Sequence, residues 1–391
     1  MSAAQGFLFL LLLLGLAATG LRLISRTAPI LPYPVLLAAG GILIGLVPGL
    51  HLPPVGPDLF LLAFVPGLVF EASLSLDLQE LRRRLLPVSL LATVGVFITV
   101  VLIGVLTHLA LGLDWAAGFL IGAIVAATDP IAVVSLLRQV GAPRGLEAIL
   151  DGESLFNDGT GVAIFAAVLG TVLTGHPSAG DAALRFVFVT VVGAAIGLAA
   201  GAGAAMLLRT LKDAELEILV TLVLVYGSYL LADLLHASGV VAVVAAGIVV
   251  ARNLQGTQLH GFWRLLAFVL NAILFLLVGF GLPTGRLLGV AGLVLGGYLI
   301  MSLARAIAVY GVLGAIDVRA RSIPWSWRHM TVWGGMRGAL SVALALAVAQ
   351  YPQIPARVSV IAYGMVVLSL LVQGGLLLPV ARLLRLRTNA T

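Results

Sequence analysis

Glu153-Ser154-Leu155-Phe156-Asn157-Asp158 puts two carboxylates and an asparagine on neighbouring helical turns, within a largely apolar stretch, 145–174. Just upstream, Thr128-Asp129-Pro130 interrupts the middle of another apolar stretch, 114–137. A charge held at bilayer depth costs at least about 2.5 to 3.5 kcal/mol. Acidic groups along two adjacent spans therefore need a compensating role, and binding a cation or a proton is the simplest one.

Around these segments the chain stays hydrophobic. Of its 391 residues, 61% are hydrophobic and 10% charged, where a soluble domain would carry about 25% charged residues. At roughly 20 residues per membrane helix, about thirteen stretches are long enough to span. They run over 5–21, 31–48, 58–76, 87–110, 114–137, 145–174, 182–209, 214–235, 237–251, 262–282, 287–315, 326–350 and 356–382, the ninth being short. The sequence thus predicts an all-α polytopic membrane protein. The run Phe7–Leu16 has neither a positive flank nor a small-residue cleavage site, so it reads as the first helix rather than a signal peptide. With no cysteine, disulfides and thiolate chemistry are excluded, and none of the six histidines stands at metal-ligand spacing. No cofactor is expected.

The net charge of +6 reflects topology rather than nucleic-acid binding. Arg22, Arg26, Arg82, Arg83, Arg84, Arg138, Arg144, Arg209, Lys212, Arg252, Arg264, Arg319, Arg321, Arg328, Arg382, Arg385 and Arg387 fall on one side of the expected spans. Only Arg185, Arg286 and Arg357 fall on the other. Positive loops face the cytoplasm, which places the N-terminus outside and the C-terminus inside a cell membrane. The tail after Leu386 is a few residues, so no cytoplasmic regulatory module is expected.

Two expected spans carry internal breaks in comparable positions of the two halves. Pro130 lacks an N–H, its ring collides with the carbonyl of Ala126, and it drives Asp129 from α geometry. Asp129 can then cap a new half-helix with Pro130 at its first position. The second break is Gly334-Gly335-Met336-Arg337-Gly338, where three glycines in five residues weaken the helix centre. Paired breaks point to an inverted-repeat transporter with its site near the midplane. Gly193, Gly197 and Gly201 recur every fourth residue, a stripe that permits close helix packing.

Residues four apart share a helix face, so Ser154 stacks with Asp158, and Glu153 with Asn157 about 100° away. A hard monovalent cation would take charge from Asp158, a neutral oxygen from Ser154, and carbonyls freed at the Thr128 break. Glu71, in the third span, could complete the shell. Arg305, in the eleventh, is a buried cation that needs an anion. Glu153 is its expected partner, with Arg337 competing for the same carboxylate. Asp151 could cap or line the entrance.

Ala127-Thr128-Asp129-Pro130, Gly152-Glu153-Ser154-Leu155-Phe156-Asn157-Asp158-Gly159 and Gly334-Gly335-Met336-Arg337-Gly338-Ala339 resemble the sodium/proton exchangers, in particular the bacterial NhaP-type branch of the monovalent cation:proton antiporters. Phe70-Glu71-Ala72 and Ser238-Gly239-Val240 look similar too, and the likeness runs from about residue 30 to 380. The resemblance implies a homodimer built on inverted six-helix repeats with two crossing broken helices. It implies a dimerisation domain (1–86 and 212–286), a core transport domain (87–180 and 287–391) and a linker helix (181–211). It further implies that Asp158 binds proton and cation in turn, with Asp129, Thr128, Ser154 and Glu71 shaping the site. Asn157 stands where electrogenic relatives have aspartate, which implies one-for-one exchange. Glu153 and Arg305 match the family's structural ion pair.

Other readings carry less of the sequence. Potassium/proton exchange differs only in cavity size, which sequence does not report. A channel needs an open path that crossing broken helices oppose. An intramembrane protease could use Asp129 and Asp158 as paired acids, but their surroundings favour cation ligation. An anion exchanger would need more buried arginines than carboxylates.

Overall fold

The computed structural model describes residues 3–27, 31–47, 59–174, 179–211, 213–253, 257–317 and 323–386, and every regular element among them is helical. In chain order these are α1 (Ala3–Thr27), α2 (Tyr33–Gly45), α3 (Val65–Ser75, entered through a wider π turn at Leu59–Phe64), α4 (Leu78–Arg83), α5 (Leu85–Leu90), α6 (Val96–Leu111), α7 (Trp115–Ile124) and α8 (Ile131–Val140). Then follow α9 (Arg144–Thr174), α10 (Ala179–Leu208), α11 (Ala214–Leu234), α12 (Gly239–Asn253), α13 (Thr257–Phe280), α14 (Thr284–Leu287) and α15 (Ala291–Asp317). The chain closes with α16 (Trp325–Trp333), α17 (Ala339–Val348), α18 (Ala356–Gly375) and α19 (Leu377–Leu383).

Each expected span is filled by one helix or by helices in succession, and the short ninth span is α12. Among the described residues, seven helical segments are long and apolar enough to cross a bilayer on their own. Some shorter apolar helices are short because their span is divided, as in α7–α8 and α16–α17. A divided span is the fifth of six before α10 and the fifth of six after it, the spacing of two inverted repeats joined by one helix. Of the basic residues used to orient the chain, Lys212, Arg319, Arg321 and Arg387 lie outside the described residues, as does the tail after Leu386.

Local chemistry sets the helix ends that matter for the site. Gly141, at φ +68°, ends α8 in the left-handed region, and the Ala142 N–H returns to the Leu137 carbonyl at 2.9 Å. This closes α8 tightly, so that α9 begins three residues later and packs against it. Asp77 and Asp213 cap α4 and α11 by accepting backbone N–H groups.

Without a hydrophobic drive between helices in lipid, close backbone approach has to supply the packing. The glycine stripe of α10 lies on α12. A Cβ at Gly193 would stand 2.6 Å from the Ser238 carbonyl, and one at Gly197 would overlap the Ala242 carbonyl. Gly203, on the same helix, has open space around it. Gly197→Ala is therefore expected to destabilise the protein by about 1–3 kcal/mol, the usual cost of overpacking, whereas Gly203→Ala is expected to be neutral or slightly stabilising. Thermal melting of the two variants in detergent checks this. Equal melting temperatures would mean that the α10–α12 seam is not tight.

Candidate functional site

The two breaks meet. α7 stops at Ile124 and α8 starts at Ile131; α16 stops at Trp333 and α17 starts at Ala339. Between them the Asp129 N–H donates to the Met336 carbonyl at 2.7 Å, so the interrupted strands of chain cross in hydrogen-bond contact. Asp129 Oδ1 accepts the Ile131 N–H at 3.0 Å. The cap forms with Pro130 just outside α8 rather than as its first residue. Two glycines of the second break are explained by close approach. A Cβ on Gly338 would overlap the Asp129 carboxylate, and one on Gly335 would stand 2.6 Å from Arg305 Nε.

The two broken helices together expose two partial negative ends and two partial positive ends at the crossing. Arg337 lies on the C-terminal end of α7, donating from Nη1 to the carbonyls of Ala126 at 3.1 Å and Ala127 at 3.4 Å. Its own backbone N–H donates to Ser369 Oγ at 3.0 Å, and that hydroxyl donates to Gln373 Oε1 at 2.9 Å. Arg305 serves the corresponding end of α16, donating from Nη2 to the Thr331 carbonyl at 3.0 Å. The same guanidinium forms a two-pronged ion pair with Glu153, both residues being buried. Arg337 takes no part in that pair. Asp129 sits at the positive ends, capping α8 and lying on Gly338 before α17.

The long helix α9 turns two faces to this crossing. On one, Asn157 is fully buried and clamps Thr128, donating from Nδ2 to Thr128 Oγ1 at 2.7 Å and accepting the Thr128 N–H at 3.2 Å. Ser154 completes the clamp by donating to the Thr128 carbonyl at 2.5 Å. The carbonyls freed at the first break are thus largely occupied: Ala126 and Ala127 by Arg337, Thr128 by Ser154. On the other face, Asp151, Ser154 and Asp158 line a cavity of about 420 Å3. Asp129, Thr128, Glu71 and the start of α17 line it too. Asp158 and Asp129 are close enough for their charges to repel.

The sequence-derived residues therefore divide. Asp158, Asp129, Thr128, Ser154 and Glu71 share the cavity. Asn157 is turned away from it, onto Thr128. Glu71 faces the cavity, yet its Oε1 already accepts the Ser75 hydroxyl at 2.7 Å. Glu153, Arg305 and Arg337 stand behind the cavity wall. Asp151 lines the cavity beside Arg138, and both it and Glu147 are paired to that guanidinium, at 3.1 and 3.4 Å. Three residues escaped sequence reasoning: Ser341, which lines the cavity, and Ser369 and Gln373, which brace the second break. A single hydroxyl or amide in an apolar helix carries no signal beyond its polarity.

The chemistry open to such a site is narrow. Its donors are carboxylate and hydroxyl oxygens, and its guanidinium groups are held in the wall or at the rim. It suits a hard cation or a proton and repels anions.

The family model described as "Sodium/hydrogen exchanger, transmembrane" matches residues 8–383. The chain is 36% identical over 357 residues to the Na+/H+ antiporter ApNhaP of Aphanothece halophytica, covering 88% of this chain and 68% of that one. It is 36% identical over 337 residues to the Na+/H+ antiporter NhaP of Pseudomonas aeruginosa, covering 82% and 79%. Its fold superposes on the sodium proton antiporter MjNhaP1 of Methanocaldococcus jannaschii at pH 8, with TM-score 0.75, 22% identity and 96% of each chain covered. The chain belongs to the sodium/hydrogen exchanger family, a family of membrane transporters.

Proposed function

We propose that this protein exchanges sodium or lithium for protons, one for one, with Asp158 holding the two in turn. The observation that carries the reading is the position of Asp158. It lines the cavity at the crossing of two broken helices, while both nearby arginines are committed to carbonyls or to Glu153. One carboxylate cannot hold a proton and a cation well at once. Asp129 adds negative charge; Ser154, Thr128 and Glu71 supply or position further oxygens; Asn157 fixes the break. Electroneutral exchange is supported by Asn157, whose amide does not titrate and is spent on Thr128.

If only a core loaded with either ion crosses the membrane, competition at one site becomes coupled exchange. The cavity runs to Arg138 and Asp151, the ends that the positive-inside rule places in the cytoplasm. On this reading the cavity belongs to an inward-facing state, with the core moving as an elevator against a homodimeric scaffold.

Reconstitution into proteoliposomes with a trapped pH dye tests this. Sodium or lithium is expected to move protons at a rate indifferent to a clamped membrane potential. A response to potassium alone would replace the cation, and a rate that follows the potential would end the one-for-one stoichiometry.

A further inference from the structure

Ser341 is the third residue of α17, the half-helix leaving the second break. It is 1% exposed, and its hydroxyl has no hydrogen-bond partner among the described residues. Hydroxyls in apolar helices of this protein ordinarily bond the carbonyl one turn back, as Ser73 does to Val69, Thr99 to Gly95 and Ser302 to Tyr298. Ser341 makes no such bond. A buried hydroxyl left unpaired is costly and calls for a partner. Ser341 belongs to the lining of the same cavity as Asp158, Asp129, Thr128 and Ser154, so an ion held there is a candidate partner for its hydroxyl.

The carbonyls of Ala126, Ala127 and Thr128 each already accept a hydrogen bond, as does Glu71 from Ser75, so an unpaired hydroxyl is the freer ligand for a dehydrated cation. We propose that Ser341 Oγ is a further ligand of the transported monovalent cation, donated by the second repeat; this rests on Asp158 being the cation site. A ligand on α17 changes what occupancy does. Asp158 and Ser154 hold the ion to α9 and the first break, and Ser341 ties it to the second. A bound cation then joins the two crossing breaks, as a proton on Asp158 alone does not.

The test is cation-driven proton transport in proteoliposomes by Ser341→Ala, with Ser341→Thr and Ser341→Val as a pair of equal shape that differ in the hydroxyl. The apparent KM for sodium is expected to rise about tenfold in Ala and Val, the scale of one lost polar contact, with the rate at saturating sodium kept. Thr is expected to restore the KM. Sodium-induced thermal stabilisation in detergent is expected to weaken in the same order, a readout independent of transport. A wild-type KM in both Ala and Val overturns the proposal. So does a fall in maximal rate and melting temperature at unchanged KM, which marks a packing role. If Asp158→Asn still transports, the underlying reading fails instead; if it is inactive while Ser341→Ala matches wild type, only the ligand assignment fails.

Discussion

Asp158→Asn is expected to fold, insert and melt like the wild type while losing cation-driven proton movement by roughly 100-fold or more, the scale on which removing a positioned proton acceptor acts. The substitution keeps the shape of the side chain and removes its charge and its titratable oxygen. Asp158 makes no hydrogen bond or ion pair with any described residue, so its loss strands no partner. It also removes the repulsion from Asp129. In a low-dielectric site that repulsion disfavours the ionised pair, so the melting temperature of the variant is expected to be equal to or above that of the wild type. Melting in detergent and dye-reported proton flux, measured on one preparation, separate the two effects. Flux retained in a well-folded Asn variant would remove Asp158 from the centre of the mechanism. A collapse in folded yield would make it a structural residue.

The elements legible in the sequence are those with strong local causes. Uninterrupted apolar stretches bounded by arginines became helices, because nothing else satisfies backbone groups in lipid. Pro130 and the glycines at 334, 335 and 338 marked the breaks, since proline removes a donor and glycine weakens a helix centre. The four-residue spacing of Ser154 and Asp158 placed both on the cavity face. What stayed hidden is where polar groups spend their hydrogen bonds. The Thr128 carbonyl looked available to an ion, and Ser154 takes it. Arg337 looked like a rival for Glu153, but its Nη1 donates to backbone carbonyls, which leave no mark in sequence. Ser341 and Ser302 look alike in sequence, and only their surroundings separate them.

The two repeats share geometry and divide the charge. In the first, a side chain from α9 clamps the break through Asn157; in the second, Ser369 of α18 holds the break at Arg337. The first break carries the acid Asp129 and the second the base Arg337. The acids face the cavity, and the arginines sit on the carbonyl ends of the half-helices, where the dipoles favour them. The exposed chemistry of the crossing is therefore anionic, although its wall holds two guanidinium groups. The proposed preference for cations over anions rests on that arrangement rather than on net charge, which is positive.

Glu153→Ala is expected to be the most destabilising single change at the crossing, about 3 to 5 kcal/mol, because removing one member of a buried pair leaves the other charge uncompensated. Glu153 is 1% exposed and Arg305 5%. Without the carboxylate, Arg305 would retain only the Thr331 carbonyl. Arg337 lies near enough to feel both partners, so two buried guanidinium groups would face each other with no anion between them. Arg305→Ala is expected to cost a similar amount by stranding Glu153 and releasing the end of α16. The double variant Glu153→Leu with Arg305→Met is expected to recover most of the loss, since apolar side chains of similar volume can replace a buried pair at little cost. Folded yield by size exclusion and melting in detergent, set out as a double-mutant cycle, would give the coupling. The contrast with Asp158→Asn tests the proposed division of roles, in which one carboxylate of the motif holds the protein together and the other carries its cargo. If Glu153→Ala melts like the wild type and loses only transport, Glu153 belongs to the ion path, and the division of roles along α9 is wrong.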